Sequence, residues 1–401
     1  MKSVAAKGSV LLFLLYRLWY KEAFNDILLI LYGGTALIVL TTLLYVDHKP
    51  LKALLPAKGI LIGVYFGVYS LITGLVVATD RGLLVSSIIT YMAFLLICVC
   101  ISVICYGENS FQWLLKCIAI VSYVCAIHTL FFGKPFYNGI YVTTMGPNNN
   151  PNALGIMMVL GMFSVLYNQR KKLYELILPL ASVFLFGYVI ILTGSRKSLL
   201  CGGLLCFVWL INFVIDTHRS TNSKSKISKY VLLIAATTIG VMYFMKHYAN
   251  TASFERLILL SKDGSSTARM EMYRESFEFF KSAKFFGIGF NQFRVLSSFK
   301  GYAHSTYAEL LADAGIFGCV LYFYPIIKTG VLLIKQMWNK PSYQVGMLFA
   351  LYVVEIILGA AVIYMYIPNQ LVIWSILYMA AENTSLIDTV DHHKGEMICL
   401  K

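Results

Sequence analysis

His304, Arg269, Arg196 and Lys197 are the side chains of this sequence best suited to chemistry, because each is ionisable and lies in a polar outcrop of an otherwise apolar chain. Neutral histidine accepts a proton readily near pH 7. Its bland alternative is a polar residue at a membrane rim, with Tyr307, three positions on, as its nearest helical neighbour. Arg269 sits in a segment with helical spacing: Ser265, Ser266 or Thr267 can cap it, and Met270, Tyr273, Phe277 and Phe280 recur on one face. Glu271, Glu275 and Glu278 take the other face. An arginine in the first turn adds its charge to the positive end of the helix dipole, and the two together make an anion site. The alternative is an arginine snorkelling to lipid headgroups. Arg196 and Lys197 occupy the short polar outcrop Thr193-Gly194-Ser195-Arg196-Lys197. Gly287 and Gly289, in Phe286-Gly287-Ile288-Gly289-Phe290, can present backbone N–H groups to a phosphate, or simply make a turn. A further outcrop, Gly146-Pro147-Asn148-Asn149-Asn150-Pro151-Asn152, carries Asn148, Asn150 and Asn152.

The elements that must position these residues are membrane helices. The chain has 401 residues, of which 59% are hydrophobic and 13% charged, and its mean hydropathy is +0.73. A soluble domain carries about twice that share of charge. With roughly 20 apolar residues needed per span, we read spans at 8–20, 27–46, 59–79, 83–106, 113–133, 153–167, 173–192, 198–215, 230–247, 305–333, 343–365 and 368–380. The fold class is thus an all-α polytopic membrane protein of about 11–12 transmembrane helices, forming a single integral membrane domain over 1–401. Lipid demands internally satisfied backbone, which selects helices. The first span is short and carries Arg17, and no small-residue cleavage site follows it.

A net charge of +14 does not point to nucleic acid, because Lys49, Lys52, Lys58, Arg170, Lys171, Lys172, Arg219, Lys224, Lys226, Lys229, Lys335 and Lys340 fall in loops, where they set orientation. That pattern places both termini in the cytoplasm and the polar outcrops outside it. A large extracytoplasmic loop then covers 248–304 and contains the amphipathic helix. A loop of that length is usually functional. Arg196 and Lys197 lie where the charge rule disfavours them, which itself calls for a functional explanation. Of the nine cysteines, most lie inside apolar runs and show no metal-ligand spacing.

Taken together, four blocks in order resemble the O-antigen ligase and O-antigen polymerase superfamily of integral membrane glycosyltransferases, over roughly residues 140–335. They are Pro147-Asn148-Asn149-Asn150-Pro151-Asn152; Leu192-Thr193-Gly194-Ser195-Arg196-Lys197-Ser198; Ser266-Thr267-Ala268-Arg269 with Phe286-Gly287-Ile288-Gly289-Phe290; and Ala303-His304-Ser305-Thr306-Tyr307 with the helix that follows. Ser305 stands where the family often has Asn, and Lys197 where a small residue is common. The resemblance implies a GT-C-like fold and metal-independent, inverting transfer of glycan from an undecaprenyl pyrophosphate carrier, in the cytoplasmic (inner) membrane with the active site on its outer side. No cofactor is implied. The natural partners are the lipid-linked oligosaccharide, membrane lipid, a chain-length regulator and a flippase. By resemblance Arg196 and Arg269 stabilise the departing pyrophosphate, Arg274 and Lys197 assist, and His304 takes the acceptor proton or orients the acceptor. Asn148, Asn150 and Asn152 bind sugar hydroxyls or cap the next span, and Gly287, Gly289 and Tyr307 complete the substrate site.

A surface polysaccharide polymerase, extending a capsule, exopolysaccharide or O-antigen, is the favoured expectation; a ligase passing finished polymer to another acceptor uses the same donor chemistry. Two other classes compete. A transporter or flippase of lipid-linked glycans would use Asp80, Arg81, His128 and Glu355, which lie within or beside apolar runs. Against it, no repeated halves are visible. A non-catalytic assembly subunit would leave the loop's Arg and His incidental.

Overall fold

A computed structural model describes residues 2–15, 27–46, 58–106, 108–138, 141–145, 150–168, 173–219, 264–363 and 368–382, with isolated positions between 227 and 246. Most of the expected span at 230–247, most of the loop ahead of Gly264, the basic residues Lys49, Lys52, Arg170, Lys171, Lys172, Lys224, Lys226 and Lys229, Arg17 and Asn148 lie outside the described residues.

The described helices are α1 (Lys2–Leu14), α2 (Ile27–Val46), α3 (Lys58–Val77), α4 (Arg81–Ile104), α5 (Glu108–Phe132), α6 (Pro151–Leu166), α7 (Ile177–Thr193), α8 (Arg196–Arg219), α9 (Gly264–Ser282), α10 (Phe293–Leu296), α11 (Thr306–Asn339), α12 (Tyr343–Gly359) and α13 (Pro368–Glu382). Six helices are long and apolar enough to cross a bilayer, and five shorter apolar helices accompany them among the described residues. The chain is therefore an all-α, polytopic membrane protein in its main architecture. One departure is a two-stranded antiparallel hairpin, β1 (Lys134–Asn138) with β2 (Tyr141–Met145), where the sequence suggests only a loop.

Packing follows chain order along one side of the bundle, where α6 lies against both α5 and α7, while α8 packs on α12 and α11 on α3. Helix starts are fixed by short polar side chains. Asp80 caps α4 by accepting from Leu83 N–H at 2.8 Å. Asn150 caps α6 by accepting from Asn152 N–H at 2.9 Å and Ala153 N–H at 3.2 Å, with Pro151 in the first helical position. Ser342 caps α12. Gly194 ends α7 with φ of +64°, which reverses the chain into α8 without a Cβ penalty.

Helix α11 is two helices joined at a break. Gly315 has φ +62° and ψ −167° inside it. The loop after α9 fills the break. Ile288 and Gly289 donate to the carbonyls of Ala312 and Asp313, at 3.0 and 2.9 Å, while Ile316 and Phe317 donate back to Lys284 and Phe285, at 2.9 and 3.3 Å. Tyr69 donates to the Ala314 carbonyl at 2.8 Å. Interrupted backbone is tolerated in a membrane helix only when its groups find partners in this way. Gly287 and Gly315 face each other across the contact, where a Cβ on Gly287 would sit 2.3 Å from the Asp313 carbonyl oxygen. Phe290 then plugs the turn into the main core, 5.8 Å between ring centroids from Phe66, which also meets Tyr91 and Tyr322.

Candidate functional site

Next to the loop that fills this break the chain builds a cavity of about 500 Å³. Three cations line it, Lys197, Arg269 and Arg294, and the first two act on His304. Lys197 is the second residue of α8, and its Nζ donates to the Ala361 carbonyl at 3.1 Å. Arg269 comes from α9, whose neighbouring Tyr273 donates to the Ala360 carbonyl at 3.1 Å. The turn after α12 is thus the common support for both, and Ala361, Val362 and Ile363 line the cavity. Helix α9 begins at Gly264, ahead of the expected cap, so Arg269 sits in the second turn. The dipole contribution fades beyond the first turn, which leaves the arginine's own charge as the attraction for an anion.

The inward face of α9 also differs from the expected stripe. Met272 and Phe279 pack on Phe293, Ala303 and Ala312, whereas Met270 and Phe277 are 68% and 48% exposed. The cause is the returning segment 283–303, which folds onto the Met272 side. Glu275, expected on the solvent face, accepts from Ser298 N–H at 2.8 Å and from its hydroxyl at 3.1 Å.

His304 enters the cavity from the loop ahead of α11. It has a left-handed φ of +58°, a conformation that costs a non-glycine residue about 1–2 kcal/mol. Its neighbours hold it there. Ala303 N–H donates to the Glu309 carboxylate at 2.7 Å, Ser305 caps α11, and Thr306 N–H reaches the Val362 carbonyl at 3.1 Å. Burial, then the Arg269 charge and then that of Lys197, push the imidazole down to about 4. The ring is therefore neutral at pH 7 and able to accept a proton.

Asn150 and Asn152 complete a third side. Ser195 donates to Asn152 Oδ1 at 3.0 Å and pairs with Ser198 at 2.9 Å. This chain of hydrogen bonds joins the start of α6 to the start of α8, and so brings two of the sequence blocks together. Asn150 combines its cap with a place in the lining.

Of the other expected site residues, Asn148 lies outside the described residues and Arg196, Arg274, Gly287, Gly289 and Tyr307 do not line the cavity. Arg196 lies beside it at the first position of α8, and Arg274 is exposed on α9. Gly287 and Gly289 spend their N–H groups on the carbonyls of Ala283 and Asp313, so they are turn residues rather than phosphate contacts. Tyr307 donates to the Ile356 carbonyl at 2.8 Å and stacks on Phe323, which ties α11 to α12.

Lining residues that the sequence reading missed are Asn291, Arg294 and Tyr302, together with Leu83, Ser86, Ser87 and Thr90 of α4. Asn291 has a left-handed φ of +60°. Its N–H donates to the Asp313 carboxylate at 2.7 Å and its Nδ2 to Ser87 at 2.7 Å. Phe293 N–H reaches the other Asp313 oxygen at 2.8 Å. Asp313 therefore orients the segment that carries Arg294.

Residues 180–323 match the O-Antigen ligase family model. Over this part of the chain the homology is to that family, in agreement with the last three of the four blocks; the block at 147–152 lies outside the match. No curated protein matches the chain. The matched segment contributes Lys197, Arg269, Asn291, Arg294, Tyr302 and His304 to the cavity; α4, Asn150, Asn152 and the 361–363 turn come from outside it. Among the described residues no group of three or more His, Cys, Asp or Glu is placed to hold a metal ion.

The residues that a transporter would use are dispersed. Asp80 is a helix cap and Arg81 is the exposed first residue of α4. The ring of His128 lies 5.3 Å from that of Phe132. Glu355 is wholly buried and accepts from the Gln370 amide. None of the four lines the cavity.

Proposed function

We propose that this protein is a membrane glycosyltransferase that moves a glycan from a pyrophosphate-linked lipid, of the undecaprenyl type, onto a sugar hydroxyl. The observation that carries this reading is the convergence of Lys197, Arg269 and His304, from three separate parts of the ligase-like segment, on one cavity of about 500 Å³. A pyrophosphate needs cations and a hydroxyl nucleophile needs a base; the cavity offers both within one volume.

In this reaction the acceptor oxygen attacks the anomeric carbon while the bond from that carbon to the pyrophosphate oxygen breaks. The electron pair leaves with undecaprenyl pyrophosphate, and Arg269 and Lys197 balance the charge that develops. The acceptor proton passes to the His304 imidazole. Direct displacement inverts the anomeric centre. Binding of the donor also tunes the base: its negative charges offset Arg269 and Lys197, the two cations that hold the His304 proton affinity down, and so raise it as the reaction needs. Arg196 supports from beside the cavity.

The description of the matched family favours ligase-type transfer to a separate acceptor over polymerisation, the outcome favoured by the sequence alone. Polymerisation uses the same cavity and donor and is the second reading. The cavity faces away from the cytoplasm in an inner-membrane protein with both termini inside, because the basic loops read that way under the charge rule. The amphipathic helix α9 then belongs to a large outer loop in a GT-C-like arrangement, and a flippase and chain-length regulator are its working partners.

The test is a glycolipid and polysaccharide profile of a deletion strain complemented with wild type, Arg269→Ala or His304→Asn, with expression of each confirmed. Full-length polymer retained on its lipid carrier, relieved only by wild type, supports ligase-type transfer. Accumulated single repeat units support polymerisation. Arg269→Ala is expected to lower transfer on the order of 100- to 1000-fold, the usual loss of one charge stabiliser. A normal profile with both variants would overturn the transferase reading.

A further inference from the structure

Tyr302 is a cavity residue with no part in the chemistry above. It lines the cavity with 39% of its surface exposed. Its ring centroid lies 4.4 Å from that of His304, with the planes at 57°. An aromatic ring left open in a recess of mixed lining is flat apolar surface that a ligand can cover. The same cavity is lined by groups able to hydrogen-bond: Arg294, Ser86 and Thr90 on α4, and Asn152. A flat apolar ring in a cavity that also holds donors and acceptors matches a pyranose, whose C–H face packs on aromatic carbon while its hydroxyls point outward.

We propose that Tyr302 is the platform for the acceptor sugar, a proposal that rests on the transferase reading of the same cavity. Two arguments assign it to the acceptor rather than the donor. The donor sugar is tethered to a pyrophosphate, which Lys197 and Arg269 hold by charge. A neutral acceptor sugar offers nothing to those cations and must be held by packing and hydrogen bonds. Geometry agrees, because a nucleophilic hydroxyl has to come within about 2.6–3.2 Å of the base. A sugar seated on a ring whose centre is 4.4 Å from that of His304 carries its hydroxyls to the imidazole.

The site also has a built frame. Asn291 bridges the α4 wall, through Ser87, to Asp313 on α11. Asp313 in turn accepts from Phe293 N–H, immediately before Arg294. Arg294 is therefore fixed relative to the helix that begins just after His304.

The experiment uses the full-length protein in nanodiscs. One probe is undecaprenyl pyrophosphate. The other is the acceptor's own sugar portion, a water-soluble oligosaccharide released by mild acid from the acceptor glycolipid purified from a deletion strain and fluorescently labelled. Tyr302→Ala is expected to bind undecaprenyl pyrophosphate within twofold of wild type and to bind the glycan about tenfold more weakly. Tyr302→Phe keeps the ring and is expected to bind both as wild type does. In transfer assays Tyr302→Ala raises the acceptor concentration for half-saturation and leaves that of the donor unchanged.

Wild-type glycan binding by Tyr302→Ala would overturn the proposal and make the ring a membrane-interface aromatic. Equal loss of both probes would overturn it too, as general damage to the cavity. Equal weakening by Tyr302→Phe and Tyr302→Ala would show that the hydroxyl matters and not the platform, and would also overturn it. If the selective pattern holds but no variant, wild type included, transfers glycan, the sugar site stands and the transferase reading falls.

Discussion

Removing one cation from the cavity should be visible at His304, and the expected size follows from its surroundings. Burial and the charges of Arg269 and Lys197 take the imidazole from 6.5 to about 4. At about 1.4 kcal/mol per pH unit this displacement is worth roughly 3 kcal/mol, and solvent screening in the open cavity reduces its effect on stability to about half. Arg269→Met is expected to bring the midpoint up and Lys197→Met to bring it up by less, with burial, the largest cause, holding the remainder below 6.5. Carbon-13 histidine NMR of the protein in nanodiscs, titrated from pH 3.5 to 8, reads the midpoint directly, and His304→Asn identifies the resonance among the seven histidines. The sign is fixed by the direction of the shift. The fold prefers the neutral ring, so this stabilisation is complete above pH 6.5, declines as the pH falls toward 4, and is absent below it. Transfer by the free enzyme should accordingly lack an acid limb near 6.5. A wild-type midpoint at 6.5, or one that neither cation variant moves, would refute the electrostatic account.

Two further predictions concern the frame of the site. Gly287→Ala forces a Cβ to within 2.3 Å of backbone at Asp313 and holds an alanine at φ +76°; we expect loss of folded protein in detergent, seen by size-exclusion chromatography, because backbone at a helix break has no flexible end to yield. Asn150→Ala removes the α6 cap, which is expected to cost about 1 kcal/mol and lower the melting temperature by a few degrees, while Asn150→Ser recovers most of it.

Lys197 and His304 were legible as ionisable residues beside membrane spans, and Arg269 as a cation on an amphipathic helix; the three meet in one cavity, while Arg196 does not line it. Tyr302, Asn291 and Arg294 were not legible. They sit on irregular backbone, around a four-residue helix and a left-handed asparagine, where no period marks a face. Ser86, Ser87 and Thr90 were hidden for the opposite reason: inside a regular span such hydroxyls bond their own helix backbone, as these do, and read as ordinary filler. The break at Gly315 was invisible because an isolated glycine is common in a membrane helix, and its left-handed geometry depends on a loop some 25 residues earlier in the chain. The stripe on α9 was misread since periodicity reports which residues share a face, not which face the returning chain will cover.

The cavity's composition has a consequence for how such a protein diversifies. The side chains to which we assign the reaction all fall inside the segment homologous to O-antigen ligases, while Leu83, Ser86, Thr90, Asn152 and the 361–363 turn line the same cavity from outside it. On the proposed reading, the charges, the base and the Tyr302 ring are thus inherited together, while part of the wall that faces them comes from elsewhere in the chain. A lineage that drifts along that helix wall and turn reshapes the space left for a glycan and keeps the same charges and the same base.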